Sequence, residues 1–339
     1  MKIPFNRNTL GDEEIKAISD CIKSGWVVLG DKTAEFEEKF AEYVGAKYAV
    51  FVDSGTSALF LAVQYLVRNN LIKRSMHVPS LTFTSTAEVV HNSGLAVQFE
   101  DVDLKSLCMD DTSTDSIGVH LTGNKCKSPS LIYDSAHRIE RDDVKDSKAI
   151  WCYSFYATKN ITTVQGGMIA TNNEQQYNWF KMARDHGLDL GTRERYTGKN
   201  RQYDVVFIGY RVKGDDLRAV IGLEQLKKLP EITEKRNNLV KRYNGAFDLD
   251  NKGNHIYPIL VNERDKFIEK MAEDNIQVSV HFKPLHSLTG YLHCPHGKLR
   301  NTEWLGERLV SLPLFPQMTV EEQDYIIKKV LKTKLLCQR

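Results

Sequence analysis

Apolar residues recur along the first part of the chain with spacings that alternate between those of helices and strands. Isoleucines at helical spacing predict a helix that starts at Asp12, its predicted N-cap, and stops at Gly25. A second helix is predicted from Thr33, whose hydroxyl would cap it, to Gly45. The apolar run 48–52 then predicts a strand, which leads through a polar turn into a third helical pattern. Strand–turn–helix units of this kind are typical of α/β domains.

Further apolar runs predict a sheet that is buried on both faces. They lack the strict alternation of a half-exposed strand, and parallel sheets covered by helices have this property. The predicted strands are 76–78, 96–99, 117–121, 130–133, 149–155 and 168–171, followed by a helix over 173–185. We therefore predict an α/β fold with a mostly parallel sheet.

The C-terminal third of the chain predicts a smaller α+β unit. Helices are predicted at 217–229, where Pro230 ends the pattern, and then at 235–247, 265–273 and 320–330, with strands at 256–261 and 278–282. We predict a large domain of residues 1–235 and a small C-terminal domain of residues 236–339.

Composition narrows the function classes. The chain has 339 residues and a net charge of +2, whereas proteins that coat nucleic acid are usually strongly basic. No apolar run approaches the ~20 residues that span a bilayer, and the N-terminal segment is polar. The six cysteines are scattered without paired spacing, as in proteins of a reducing compartment. We expect a cytoplasmic protein with no nucleic-acid or membrane partner.

Candidate binding groups follow the predicted strands, where open α/β sheets bind their ligands. The turn 54–57, Ser-Gly-Thr-Ser, opens a helix and is either a simple cap or an anion site. Asp134 is either a loop carboxylate or the partner of a protonated heterocyclic nitrogen. His137 is either structural or a hydrogen-bond partner of the same ring, and Phe83 either packs in the core or covers that ring.

Lys159 carries the most specific chemical prediction. It stands between two predicted buried strands and precedes Gly166 and Gly167, although lysines usually occupy solvated faces. Burial lowers the pKa of a lysine, and Schiff-base chemistry needs the neutral amine.

Taken together, these motifs resemble the DegT/StrS sugar aminotransferases, which are fold-type-I pyridoxal-phosphate enzymes with the aspartate-aminotransferase fold. The similarity covers nearly the whole chain. The matching segments include Ser-Gly-Thr-Ser-Ala-Leu at 54–59, Val-Pro at 78–79, Asp-Ser-Ala-His at 134–137, Ser-Phe-Tyr-Ala-Thr-Lys-Asn at 154–160, Arg-Asp-His-Gly at 184–187 and His-Phe-Lys-Pro-Leu-His at 281–286.

The resemblance implies a cofactor site and a role for each of its members. Lys159 would hold pyridoxal phosphate as a Schiff base, and Asp134 would keep the pyridine nitrogen protonated. His137 would contact the phenolic oxygen of the ring, on which Phe83 would stack. The residues implied to hold the phosphate are Thr56, Ser57 and Ser154.

The resemblance also implies a reaction and an assembly. The amino group, commonly from glutamate, would pass to a keto-deoxysugar linked to a nucleotide diphosphate. Arg211 belongs to a segment that in the family reaches the partner's site, which implies a homodimer with shared active sites. His281, Lys283 and His286 are either a basic cluster for the diphosphate or a surface turn.

Two departures from the family pattern change the expectations. Gly209 stands where the family usually has an asparagine that holds the partner's phosphate. Lys199, Asn200 and Lys213 are candidate replacements, with little to choose between them. The connection 122–129 is too short for the usual crossover helix, so we predict an extended connection and a less covered sheet face. The segment 104–116 also looks shortened.

The sequence also bears on other functions. A dehydrating branch of the family has histidine at the position of Lys159, so that lysine argues against it. A cysteine desulfurase would need a reactive cysteine such as Cys294 on a mobile loop, but the motifs fit sugar enzymes better. A zinc site from His286, His293, Cys294 and His296 is crowded and lacks a second paired motif, so no metal is predicted. A non-catalytic homologue that binds cofactor or nucleotide sugar remains the non-enzyme alternative.

Overall fold

The computed structural model describes residues 1–111, 113–191 and 202–337. Their strands are β1 (Tyr48–Val52), β2 (Ser75–Pro79), β3 (Ala96–Glu100), β4 (Ile117–Val119), β5 (Ile132–Asp134), β6 (Ile150–Ser154), β7 (Gly167–Thr171), β8 (Tyr257–Leu260) and β9 (Leu309–Leu312). All strands predicted between residues 48 and 171 are confirmed, with ends that differ by a few residues.

Two helices precede β1, helices follow β1 and β2, and β3 to β7 follow one another without an intervening helix among the described residues. The helices are α1 (Asp12–Lys23), α2 (Asp31–Val44), α3 (Gly55–Arg68), α4 (Thr84–Asn92), α5 (Glu174–Ala183), α6 (Asp216–Phe247), α7 (Arg264–Glu273), α8 (Arg300–Arg308) and α9 (Val320–Thr333). None of the described helices is both long enough and apolar enough to cross a membrane.

The central sheet has the strand order β1-β7-β6-β5-β4. Strands β4, β5 and β6 are parallel, and β7 runs antiparallel to both of its neighbours. A parallel bridge between His77 and Ser116 continues the sheet into the parallel pair β2 and β3. The carboxyl ends of β1, β2, β4, β5 and β6 therefore meet at one edge, where the predicted binding groups lie.

Two apolar layers cover the central sheet. One face packs against α3, α4 and α5 through aliphatic side chains. The other packs against α2 and the first half of α6 through an aromatic cluster that includes Phe36, Phe40 and Phe155. A third core joins α7, α9, β8 and β9 with the second half of α6 in the C-terminal part of the chain.

The predicted N-caps of the first two helices are wrong. Gly11, not Asp12, is the N-cap of α1, and the carboxylate of Glu14 accepts a bond from its backbone N–H at 2.7 Å. Helix α2 begins at Asp31, so Thr33 lies inside its first turn. Its N-terminal N–H groups are satisfied by a distant residue, because the Asp216 carboxylate accepts from the N–H of Gly30 at 2.9 Å and of Thr33 at 2.8 Å.

The prediction that Pro230 ends a helix is also wrong. Helix α6 runs without interruption through Pro230, so the two helices expected at 217–229 and 235–247 are one. Pro230 is exposed, and it removes one N–H donor from the hydrogen bonds of the helix. Buried side chains on both sides, Leu229 and Ile232, hold the two halves of the helix in the core. The predicted boundary at residues 235 and 236 lies within α6, and the two-domain division stays a prediction.

The strand predicted at 278–282 is absent from the described structure, which has only single bridges there, including Ser279 with Ser311. The partner of β8 is instead β9, which pairs with it antiparallel. Sequence patterns did not predict β9, nor the helices α4 and α8. Both helices have only 9 residues, too few for a clear apolar period.

The short connection between β4 and β5 has no helix within the described residues, as predicted. The sheet face beside it is nevertheless well covered at Trp151, which corrects the expectation of a less covered face. Trp151 is only 2% exposed because His120 packs on it with ring centroids 5.1 Å apart, and the ammonium group of Lys125 lies 5.5 Å from its ring. The connection thus takes over the covering role of a helix.

Candidate active site

A cavity of about 390 Å³ lies at the carboxyl edge of the central sheet. Residues after β1, β2, β4 and β5 and at the end of β6 line it, together with the segment 255–256 that precedes β8. The sheet order places Ser54 and Ser154 at one end of the cavity, Asp134 in the middle, and Leu121 with His137 at the other end. The cavity therefore collects most of the residues that the sequence predicted.

The first end of the cavity is built around the N-terminus of α3. Ser54 is the N-cap, and its hydroxyl accepts a bond from the N–H of Ser57 at 3.1 Å. A Cβ on Gly55 would lie 2.7 Å from the Cβ of Ser154, so only glycine allows this close approach. The first N–H groups of a helix and its dipole attract anions, and the hydroxyls of Thr56 and Ser154 line the same end.

Asp134, in the middle of the cavity, is held by two hydrogen bonds. Its side chain accepts from the hydroxyl of Thr86 at 2.9 Å and from the N–H of Ala136 at 3.1 Å. The residue is 6% exposed, and burial raises the pKa of its carboxyl group, although the two hydrogen bonds and the charge of Lys159 act in the opposite direction. A cation placed beside this carboxylate would replace the lost hydration.

Lys159 lies on the same cavity wall and has an unusually acidic ammonium group. Burial lowers the pKa of Lys159 from 10.5 to about 8, and the nearby negative charge of Asp134 opposes this shift. Since the pKa lies near neutrality, a substantial share of the amine is uncharged and nucleophilic. This is the property that the sequence predicted for a Schiff-base lysine.

Histidines line the opposite end of the cavity. His137 is buried, with its Nδ1 in contact with the carbonyl oxygen of Leu121, and burial holds its pKa well below the ordinary value. His281 contacts the hydroxyl of Ser311 through Nδ1 at 2.9 Å, and burial lowers its pKa to about 4. Both imidazoles are therefore neutral at neutral pH in this cavity.

Aromatic side chains surround the mouth of the cavity. Phe83 is 55% exposed, with its ring centroid 5.6 Å from that of Phe282. Its exposure favours the ring-covering role over core packing. Phe5 and Asn6 of the N-terminal segment also line the cavity, with Phe5 packed 5.3 Å from the His281 ring.

Four predicted site residues lie outside the cavity lining. The hydroxyl of Ser57 accepts from Ser54 at 2.9 Å, behind the cavity wall. Lys283 and Arg211 are exposed on the surface, away from the cavity of their own chain. His286 contacts the hydroxyl of Ser80 through Nδ1 at 2.7 Å and does not reach the cavity.

Gly209 has no room for the side chain that the family usually carries there. A Cβ on Gly209 would lie 2.2 Å from the backbone nitrogen of Gly187. Of the candidate replacements, Lys213 forms an ion pair with Asp185 at 2.8 Å, whereas Lys199 and Asn200 lie outside the described residues. The stretch 192–201 of the irregular loop lies outside them as well.

The residues that sequence analysis missed are Thr86, Phe5, Asn6 and His255. Thr86 is three residues after Phe83, on α4, and a predicted helix there would have placed it beneath the cavity. The other three reach the cavity through contacts with distant segments, for which a single sequence carries no signal.

The zinc site weighed as an alternative does not form among the described residues. The only group of three possible ligands that lie within 4.8 Å of one another there is His77, Glu100 and Asp111, away from the cavity. Its closest pair, Nδ1 of His77 and Oε1 of Glu100, is already joined by a hydrogen bond of 2.7 Å.

A family model described as the DegT/DnrJ/EryC1/StrS aminotransferase family matches residues 8–331. The chain belongs to this family. The expectations of an aminotransferase-family enzyme and of the aspartate-aminotransferase-like fold are thereby confirmed.

Curated relatives agree over nearly the full length of this DegT-family chain. An uncharacterized protein of Methanocaldococcus jannaschii is 31% identical, with 97% of each protein covered. The spore coat polysaccharide biosynthesis protein SpsC of Bacillus subtilis is 29% identical over 97% of this chain and 96% of that protein.

A solved structure supports the same assignment. The PLP form of a putative sugar aminotransferase from Streptococcus pneumoniae superposes with a TM-score of 0.84 and 25% identity, covering 99% of this chain and 100% of that one. The cavity described above fits this cofactor, because it combines an anion-binding helix N-terminus, a buried carboxylate and a lysine of lowered pKa.

Proposed function

We propose that this chain is a pyridoxal-phosphate-dependent sugar aminotransferase. It would move an amino group, with glutamate as donor, to a keto-deoxysugar linked to a nucleotide diphosphate for amino-sugar biosynthesis. The observation that carries this proposal is that Lys159, with a pKa of about 8, and the buried Asp134 share one cavity with the N-terminus of α3. No other described cavity contains these three features together.

The side chains of the cavity can perform the steps that amino transfer requires. Bound pyridoxal phosphate supplies an electron sink for the charge that develops at the donor carbon. Asp134 would bind the ring nitrogen, and Thr56 and Ser154 with the α3 N-terminus would hold the phosphate. Lys159 can take and return a proton near neutral pH, as a general base needs. Ser57, behind the wall, would act through Ser54 rather than touch the phosphate.

The charge inventory of the cavity supports a shared active site in a homodimer. Among the described residues that line it, Asp134 and Lys159 are the only acidic, lysine or arginine side chains. A dicarboxylate donor and a diphosphate both need cationic partners. Arg211 is exposed outside its own cavity, near the exposed Ile208, and we propose that it serves the cavity of the second copy.

The basic residues near the cavity differ in whether they can contact a substrate. His281 lines the cavity and is proposed to contact the sugar nucleotide. Lys283 is exposed and His286 is bonded to Ser80, so we propose at most a peripheral electrostatic role for them.

Spectroscopy tests the proposed reaction. The protein is purified with pyridoxal phosphate, glutamate is added, and the visible band is followed. Loss of that band with formation of pyridoxamine phosphate supports amino transfer, and a panel of keto-sugar nucleotides then identifies the acceptor. A band that glutamate leaves unchanged would refute glutamate as the donor. Absence of a band would favour the non-catalytic alternative.

Hybrid dimers test the role of Arg211. Lys159→Ala and Arg211→Ala chains, each inactive alone, are mixed under conditions that exchange subunits. If Arg211 serves the partner, one site of each hybrid combines an intact Lys159 with an intact Arg211, and glutamate-dependent bleaching returns. If Arg211 acts only within its own chain, the hybrid stays inactive.

A further inference from the structure

His255 is a buried residue whose ring has one nitrogen without a hydrogen-bond partner in the part of the chain that the structure describes. It is 9% exposed and lines the cavity, yet its Nδ1 atom makes no hydrogen bond to any residue that the structure describes. An unpartnered buried polar atom costs about 1–3 kcal/mol, and a water, an ion or a ligand can satisfy it.

The position of His255 is fixed by its backbone. Its N–H donates to the carbonyl oxygen of Thr122 at 3.1 Å, and its own carbonyl accepts from the buried guanidinium of Arg236 at 3.2 Å. A Cβ on Gly253 would lie 2.3 Å from the Thr122 carbonyl oxygen, so this segment packs tightly on the short β4–β5 connection. The connection that replaces the crossover helix thus holds the segment that carries His255.

The ring of His255 stacks on that of His137. The two centroids are 4.4 Å apart and the planes differ by 27°. Both rings lie at the Leu121 end of the cavity, on the far side of Asp134 from the phosphate-binding end. In a pyridoxal ring whose nitrogen faces Asp134 and whose phosphate lies at the α3 N-terminus, the edge that carries the phenolic oxygen faces this pair.

We propose that His255 is a further cofactor-binding residue, whose imidazole donates a hydrogen bond to the phenolic oxygen of pyridoxal phosphate. This inference rests on the proposed function. Neutral imidazole suits this task, because it donates or accepts according to its tautomer. His255 is 9% exposed and Phe83 is 55% exposed, so the burial of His255 favours the cofactor over the sugar as its partner.

The surroundings keep His255 uncharged. Burial is the main cause of its strongly lowered pKa, and the positive charges of Arg236 and Lys159 act in the same direction. A neutral donor at the phenolic oxygen stabilises the anionic form of that oxygen, so it lowers the pKa of the proton held between the oxygen and the Lys159 linkage.

Two variants separate the hydrogen bond from the ring stack. His255→Phe keeps an aromatic ring on His137 but removes both nitrogens, whereas His255→Asn keeps a polar group near Nδ1 without the ring. His91→Phe is the matched control, since His91 is exposed on α4 outside the cavity. Each protein is stripped of cofactor and titrated with pyridoxal phosphate by quenching of its intrinsic fluorescence. The pH transition of the visible band and the melting temperature of the cofactor-free protein are also measured.

We expect His255→Phe to bind pyridoxal phosphate about tenfold more weakly and to raise the apparent pKa of the visible band by about one unit. Its cofactor-free form should melt no lower than wild type, because the unpartnered nitrogen is gone. His255→Asn should stay close to wild type in both cofactor measurements, and His91→Phe should match it.

Wild-type affinity and an unshifted band in His255→Phe would overturn the inference while leaving the aminotransferase intact. Equal losses in both variants, with a lower melting temperature and no shift of the band, would reduce His255 to a packing role and overturn it too. If wild type fails to bind pyridoxal phosphate at all, the proposed function falls together with the inference.

Discussion

The acidity of Lys159 has a measurable kinetic consequence. With a pKa of about 8 instead of 10.5, the neutral fraction of its amine at pH 7.5 is about 24% rather than about 0.1%, a gain of roughly 200-fold. Because only the neutral amine attacks an aldehyde, the cofactor-free protein should capture pyridoxal phosphate with a rate that rises with pH and levels off above a midpoint near 8. Stopped-flow absorbance between pH 6 and 10.5 measures this midpoint, and a blocked lysine in solution gives the unperturbed reference.

The variant Asp134→Asn is the control for this measurement. Its negative charge raises the pKa of Lys159 against the effect of burial. Asp134→Asn should therefore move the midpoint to lower pH, even though the weaker site reduces the amplitude. A wild-type midpoint near 10, or a midpoint that rises in Asp134→Asn, would refute the electrostatic reasoning.

Three further perturbations test the packing around the site. Gly209→Asn should lower the free energy of unfolding by about 1–3 kcal/mol in urea titrations, because the new side chain would meet the backbone of Gly187. Gly297→Asn is the control and should leave the stability unchanged, since a Cβ there meets nothing within 4 Å. Equal stabilities of the two variants would contradict the packing argument. Thr86→Val removes a hydrogen bond to Asp134 and should weaken pyridoxal-phosphate binding about tenfold in fluorescence titrations, with unchanged circular dichroism. An unaltered affinity would show that this hydrogen bond does not contribute to cofactor binding. Four histidines have pKa values that are lowered in the folded protein, the buried His120, His137 and His255 and the half-buried His281. Below pH 6.5 these histidines bind protons in the unfolded chain but not in the folded one, so the cofactor-free protein should lose about 1.4 kcal/mol of stability per pH unit for each of them. A flat urea midpoint from pH 7 to 5.5 would disprove this.

The strands and much of the candidate site could be predicted because their signals are local. Buried strands such as β1 and β6 are short apolar runs, and Ser54, Asp134 and Ser154 stand where those runs end. The position of Lys159 between two such strands was enough to predict a lowered pKa.

The errors arose where distant contacts decide local structure. Asp216, far along the chain, satisfies the first turn of α2, so no local cap was needed there. Packing on both sides of Pro230 kept α6 continuous despite the lost hydrogen bond. The segment of His255 is held at the cavity by a hydrogen bond to the backbone of Thr122. The spacing of residues in the sequence does not predict this contact.

The most direct test of the account is to locate the covalent link. The protein loaded with pyridoxal phosphate is reduced with borohydride, digested, and mapped by mass spectrometry, with Lys159→Ala treated in parallel. The account predicts one stoichiometric phosphopyridoxyl adduct on Lys159 and none in the variant. Labelling spread over surface lysines, or an adduct that persists in Lys159→Ala, would contradict the assignment of this cavity as the active site.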